Sequence, residues 1–273
     1  MKKTALNFIK EEFMDIYGAV RDLSDEDILN GPEDIFRPYL ERLNRLGAMD
    51  IDDHAVEEML YDPGFESATR HISRLKRANG LKMEIQAVRS ILADHDPWAQ
   101  VKRFIYYPNY LQLARMEYRG ANLRPKDRVV FLGSGPFPLS LICLCTQYGI
   151  EGIGIEQVPA FAELAGELIE TLALASRIHI MQGNHFFLPL QQPCRLIMVG
   201  ADALPKDEIF AHLAKALPNG TKLSYRIYEK GLRRLMDDQS SFEVPPEFQE
   251  YCRIRPRPPV NNTPVFLVKN SGL

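Results

Sequence analysis

Along the first 120 residues apolar side chains recur at the three-to-four-residue spacing of helices, whereas the rest of the chain alternates short apolar runs with helical stretches. Within the first part, residues 7–21 bring Phe8, Phe13, Ile16, Tyr17 and Val20 close to helical spacing, and Ser24-Asp25-Glu26-Asp27 reads as the capped start of a segment ending near Gly31. Further helices are predicted over 32–46, 52–61, 64–95 (in one piece or two) and 110–118, with no β alternation among them. A polar, proline-containing linker at 122–127 ends this pattern.

Beyond the linker, strands are predicted over 128–132, 152–155, 178–182, 196–200, 221–227, 251–255 and 265–269, with helices between the first five. That alternation implies right-handed β-α-β crossovers and a mainly parallel α/β sheet, its late strands forming an edge open to antiparallel pairing. Ligands of such sheets sit outside the carboxyl ends of the strands. Gly133, Glu156, Gly183-Asn184-His185 and Gly200-Ala201-Asp202 all fall at such ends, so four loops are expected to converge on one pocket.

The sharpest motif is Phe131-Leu-Gly-Ser-Gly-Pro-Phe-Pro-Leu-Ser140, in which an apolar run breaks into two closely spaced glycines and then opens a helical pattern. Glycines let the backbone turn sharply and approach a ligand, and a helix start offers unpaired N–H groups. Gly133, Ser134, Gly135 and Pro136 are therefore candidate cofactor contacts, and Glu156, 21 residues after Gly135, stands where an acidic side chain takes ribose hydroxyls. The third glycine of a dinucleotide fingerprint is replaced by Pro138, and Pro136 and Pro138 delete two donors that a pyrophosphate would use. An adenosine cofactor without phosphates loses little by this, and S-adenosylmethionine answers that description; a nicotinamide or flavin site and a purely structural turn are the alternatives. Asn184 or His185 is assigned to the adenine edge, and Asp202 either joins the site or caps the next helix.

Composition narrows the partners. Hydrophobic residues make up 45% and charged residues 25%, as in ordinary globular proteins, and the net charge is −3. The densest basic cluster is Arg253, Arg255 and Arg257, too little for a protein that lives by phosphate contacts, so nucleic acid is not an expected partner. Charged residues at positions 10–12 interrupt the amino terminus before a secretory core forms, and no run is long enough to span a bilayer, so no membrane association and a cytoplasmic location are expected. The four cysteines show no C-x-x-C spacing and the six histidines are scattered, so Cys143 and Cys145 read as buried hydrophobes and no protein-bound metal is expected.

The glycine motif after a helical amino-terminal half, together with Lys82-Met-Glu84, Tyr106-Tyr-Pro-Asn-Tyr110 and Arg226-Ile-Tyr228, resembles the nicotianamine synthase family, and within it the bacterial branch that builds opine metallophores such as staphylopine, pseudopaline and yersinopine. The resemblance implies a Rossmann-like, class I methyltransferase-type sheet over 121–273 that binds S-adenosylmethionine, preceded by an all-helical lid and acceptor-binding domain over 1–120. It further implies transfer of the 3-amino-3-carboxypropyl (aminobutanoyl) group to an amino group, that of histidine in the bacterial branch, with release of 5′-methylthioadenosine. A separate opine dehydrogenase then takes up the product, and a homodimer is compatible with this reading. A sulfonium has three carbons open to displacement, and the one held in line with the nucleophile reacts.

The attacking amine must be neutral, so a base is needed. Glu84 is the first candidate, its other reading being a solvated partner of Lys82 or Arg89; burial would raise its pKa toward the working range. Tyr106 and Tyr107 follow as phenols able to hydrogen-bond amine or base, Tyr107 being expected in an extended conformation because it precedes Pro108. His95 is a candidate proton relay, Glu33 a candidate acceptor contact, and Arg226 offers a fork to a substrate carboxylate or else forms a surface salt bridge. The rival functions are an ordinary small-molecule methyltransferase, nicotianamine synthase proper, and a non-enzymatic metallophore or metal carrier. No Asp/Asn-Pro-Pro-Tyr/Phe element follows the fourth strand, which argues against methylation of nucleic-acid bases.

Overall fold

The computed structural model describes residues 2–49, 51–189, 193–229, 231–238 and 242–270. The chain divides into two compact units, Met1–Met83 with Tyr228–Ser241, and Glu84–Ile227 with Phe242–Leu273.

In the first unit the helical periodicity becomes α1 (Lys2–Val20), α2 (Asp25–Asn30), a 3-10 turn at Glu33–Ile35, α3 (Arg37–Gly47), α4 (Asp53–Leu60) and the first two-thirds of α5 (Pro63–Ala93). The start of α2 is fixed by a reciprocal cap: the Asp27 N–H donates to Ser24 Oγ at 3.1 Å, and the Ser24 N–H donates to the Asp27 carboxylate at 2.8 Å. Ile9, Phe13, Ile16 and Val20 of α1 pack in one core with Leu43, Met59, Ile72 and Leu75. Leu232, Leu235 and Met236 of the returning 3-10 segment Gly231–Met236 complete that core. Residues 63–93 form a single helix of 31 residues rather than two.

The second unit takes the rest of α5, then α6 (Pro97–Arg103), α7 (Tyr107–Gly120), β1 (Arg128–Leu132), α8 (Leu139–Tyr148), β2 (Glu151–Glu156), α9 (Pro159–Thr171), β3 (Ile178–Gln182), β4 (Leu196–Val199), α10 (Lys206–Ala216), β5 (Lys222–Ile227), β6 (Phe248–Arg253) and β7 (Thr263–Lys269). The strands lie in the order β3-β2-β1-β4-β5-β7-β6. The first five are parallel, and β7 runs antiparallel to both β5 and β6, which is the antiparallel late edge expected from sequence.

Three sequence expectations are corrected. Among the described residues no helix joins β3 to β4; Pro189 and Pro193 stand in that connection, where a helix interior would not accept them. α6 was not foreseen, being only seven residues long, with Asp96 capping the N–H of Ala99 at 3.0 Å. The division between units falls inside α5, whereas the change of sequence texture falls near residue 120. Val88, Ile91, Val101 and Ala114 from α5, α6 and α7 share a core with Val129, Phe131 and Leu141, so these helices belong with the sheet. No helix among the described residues is long and apolar enough to cross a membrane.

Candidate active site

The ends of β1, β2 and β4 come together here, beginning with the loop after β1. Gly133 and Gly135 hold φ angles of +70° and +67°, a region that residues bearing a Cβ avoid. The N–H groups of Gly133 and Ser134 both donate to the Ile155 carbonyl, at 2.9 and 3.1 Å, folding the loop over the end of β2. There Glu156, only 6% exposed, accepts the Gly135 N–H on one carboxylate oxygen at 3.0 Å and the Val158 N–H on the other at 2.9 Å. An ionised carboxylate has about four acceptor positions, so roughly two stay open toward a ligand hydroxyl.

The loop after β4 closes on the same place. The Gly200 N–H donates to the Leu132 carbonyl at 2.8 Å, and a Cβ on Gly133 would stand 2.7 Å from the Cβ of Ala203. The expectation that Asp202 caps the following helix does not hold, because α10 starts at Lys206 behind Pro205 without a side-chain cap. Asp202 instead acts electrostatically on Glu84.

Glu84 keeps some accessible surface but is closely enclosed, and a Cβ on Gly135 would lie 3.1 Å from its Oε2. Its pKa is pushed up to about 8, first by burial and then by the negative charges of Asp202 and Glu156. The reading as a solvated partner of Lys82 or Arg89 is thereby corrected. Lys82 donates to the carbonyls of Ile28 and Gly31 at 3.0 and 2.6 Å, Arg89 is exposed, and the charges that act on Glu84 are carboxylates. Glu84, Glu156 and Asp202 thus gather around one glycine loop, an arrangement that attracts a cation and repels a pyrophosphate.

Tyr107 opens α7 instead of standing extended. Proline costs nothing in a first helical turn, and Tyr106, at φ −93° and ψ 1°, completes the preceding turn, so Pro108 fits without forcing its neighbour out of the helix. Burial raises the Tyr107 phenol pKa, as does nearby Cys143, while Tyr106 is 45% exposed and packs edge-to-face on Phe104 at 5.6 Å.

Arg226 is neither at the surface nor wholly open to a substrate. Its side chain is 8% exposed, its Nε lies 3.3 Å from a carboxylate oxygen of Glu117, and its Nη2 donates to Ser140 Oγ at 3.0 Å. Glu117, 1% exposed, also accepts from Ser224 Oγ at 2.8 Å, and burial, the largest effect on it, outweighs these partners and raises its pKa. Glu117 was missed by sequence reasoning, although a lone carboxylate beside Leu113 and Ala114 on the buried face of α7 is the signal that exposes it.

The remaining candidates make local contacts. Asn184 Oδ1 accepts the Phe186 N–H at 3.0 Å in a local turn, and the His185 ring is buried against Phe186 and His212, its Nε2 without a hydrogen bond and 3.7 Å from Glu208. His95 has a side chain 98% exposed beside Asp94, so it lacks the enclosed setting of a proton relay. Glu33 lies in the first unit and pairs with Arg37 at 2.5 Å. Cys143 and Cys145 are buried, as expected, and among the described residues no cluster of His, Cys, Asp and Glu is placed to hold a metal.

A mainly parallel seven-stranded sheet in this order, with a glycine turn after β1 and an acid after β2, defines the class as a methyltransferase-like α/β protein with a helical amino-terminal region. The chain belongs to the nicotianamine synthase family: the model of nicotianamine synthase protein matches residues 2–272. A crystal structure of MtNAS in complex with MTA and tNA superposes with a TM-score of 0.82 at 25% identity, covering 97% of this chain and 98% of that one. A glutamate-to-glutamine mutant of MtNAS in complex with S-adenosylmethionine gives 0.80 at 24% identity, over 95% and 97% of the two chains. Nicotianamine synthase 3 of Oryza sativa subsp. indica is 42% identical over 64 residues, 21% of this chain and 19% of its own. L-histidine 2-aminobutanoyltransferase of Yersinia pestis is 23% identical over 139 residues, 51% of each chain. The chain thus spans between a fifth and about half of the length of these curated relatives.

Proposed function

We propose that the protein transfers the 3-amino-3-carboxypropyl group of S-adenosylmethionine to the amino group of an amino acid, with histidine as the acceptor, and releases 5′-methylthioadenosine. The observation that carries this reading is the set of three carboxylates around a glycine loop poor in phosphate-binding donors. A sulfonium nucleoside brings a positive charge and no phosphates, and suits that field better than a dinucleotide does. The family, the MtNAS complexes with MTA and with S-adenosylmethionine, and the Yersinia relative's acceptor support it.

In the transfer, the acceptor nitrogen forms a bond to the γ-carbon of the methionyl chain while the bond from that carbon to sulfur breaks, the sulfur keeping the electron pair. The proton lost from the nitrogen goes to Glu84, whose raised pKa makes it a stronger base than an ordinary carboxylate. Glu156 takes the ribose hydroxyls on its open lone pairs, and Asn184 or His185 meets the adenine edge. Tyr107 orients the amine, and Arg226 offers its remaining terminal nitrogen, Nη1, to a substrate carboxylate. The product keeps a free primary amine, which suits reductive condensation with an α-keto acid by an opine dehydrogenase.

Separation of the nucleoside products after incubation with S-adenosylmethionine and a panel of amino acids tests the proposal. Methylthioadenosine formed fastest with histidine is the expected result; adenosylhomocysteine as the nucleoside product overturns the transfer type.

A further inference from the structure

Lys206 is placed against two general preferences. It is the first residue of α10, where the positive end of the helix dipole disfavours a cation, and it is buried, at 3% exposure. An ammonium in such a place persists only when its donors are satisfied. Its Nζ lies 2.7 Å from the carbonyl oxygen of Gly200, 2.8 Å from that of Ala201 and 2.8 Å from that of Ala203. Three backbone carbonyls of one loop thus converge on this ammonium.

That loop follows β4 and meets the glycine turn edge to edge. A Cβ on Gly200 would stand 2.8 Å from the Gly133 carbonyl oxygen, and one on Gly133 would stand 2.7 Å from the Cβ of Ala203, so the two turns have no slack between them. Between the tethered carbonyls sits Asp202, exposed, and a source of negative potential at Glu84.

We propose that Lys206 is a positioning residue for cofactor binding and for the base. By drawing three carbonyls of residues 200–203 onto one ammonium, it holds Ala203 against Gly133 and keeps Asp202 within electrostatic reach of Glu84. Resting on the aminocarboxypropyl-transfer reading, this adds to it a part that touches neither substrate nor reacting atoms.

The test is Lys206→Met, which keeps the length of the buried stem and removes the charge and the donors. The expected result is a rise of about tenfold in the Kd and KM for S-adenosylmethionine, with kcat changed less. The low-pH limb of kcat/KM should move to lower pH, because Asp202 no longer stays near Glu84. Lys206→Arg keeps the charge and folds more readily, yet a planar fork does not match three convergent carbonyls, so it should show the same two shifts in smaller measure. Variants that lose only thermal stability, with cofactor Kd and the pH limb unchanged, overturn the inference. Wild-type protein that gives no calorimetric signal with S-adenosylmethionine overturns the underlying function reading as well, and the two failures are told apart by that control.

Discussion

Replacing Glu84 by Gln keeps the size of the side chain and removes its ability to accept a proton. The displacement of its pKa from the ordinary 4.5 to about 8 corresponds to about 5 kcal/mol in favour of the neutral form as an upper bound, since some accessible surface screens the charge. With a pKa of about 8, roughly a tenth of Glu84 is ionised at pH 7 in the free enzyme. Between 4.5 and about 8 the folded state binds a proton that the unfolded state has lost, so stability falls as pH rises through that window. Glu84→Gln should therefore match the wild type in urea unfolding near pH 4.5 and exceed it at pH 9. In catalysis kcat/KM should climb up to tenfold per pH unit toward a limb near 8 set by the free enzyme. In the complex the positive charge of the sulfonium favours the ionised carboxylate, so the limb in kcat should lie below the limb in kcat/KM. The variant should lose about 10²- to 10⁴-fold in kcat and the Glu84 limb with it, while calorimetry still shows cofactor binding. Turnover within a few-fold of wild type, with the limb unmoved, refutes the assignment of Glu84 as base.

Other outcomes follow from the same structure. Glu117→Ala leaves the Arg226 guanidinium buried without its carboxylate and should cost about 3–5 kcal/mol in urea unfolding, with the Glu117→Leu/Arg226→Met double variant costing less than the sum of its single changes. Gly133→Ala should abolish measurable cofactor binding by calorimetry, because its Cβ would meet Ala203 at 2.7 Å and the positive φ alone costs about 1–2 kcal/mol. Burial, the largest effect on His185, lowers its pKa below 6.5, so the unfolded state takes up a proton first and stability should fall as pH drops below 6.5 through the folded value. His185→Gln should flatten that acid limb in thermal scans; a limb of unchanged steepness assigns it elsewhere.

What sequence made legible depended on how local the determining physics is. The runs at 128–132 and 178–182 coincide with β1 and β3, since short apolar stretches between turn residues admit few other structures. β6 begins three residues before its predicted start, because an edge strand with exposed Gln249 and Glu250 and a register shift between Glu250 and Cys252 hides the alternation. The glycine turn and Glu156 were legible because their geometry follows from backbone limits and one short spacing. The burial of Arg226 was not foreseen: its partner Glu117 is 109 residues away in sequence, and no local pattern links them. The anchoring of Asp202 by the carbonyl grip of Lys206 was equally out of reach, since nothing in a Pro-Lys-Asp string shows where an ammonium will point.

The central claim concerns which carbon of the sulfonium is transferred, and isotope placement measures it most directly. With histidine as acceptor, S-adenosylmethionine labelled in its methyl group should pass the label only to methylthioadenosine, and co-substrate labelled in its aminobutanoate chain should pass it only to the histidine adduct. Methyl label on the acceptor, with the chain label left in adenosylhomocysteine, contradicts the account.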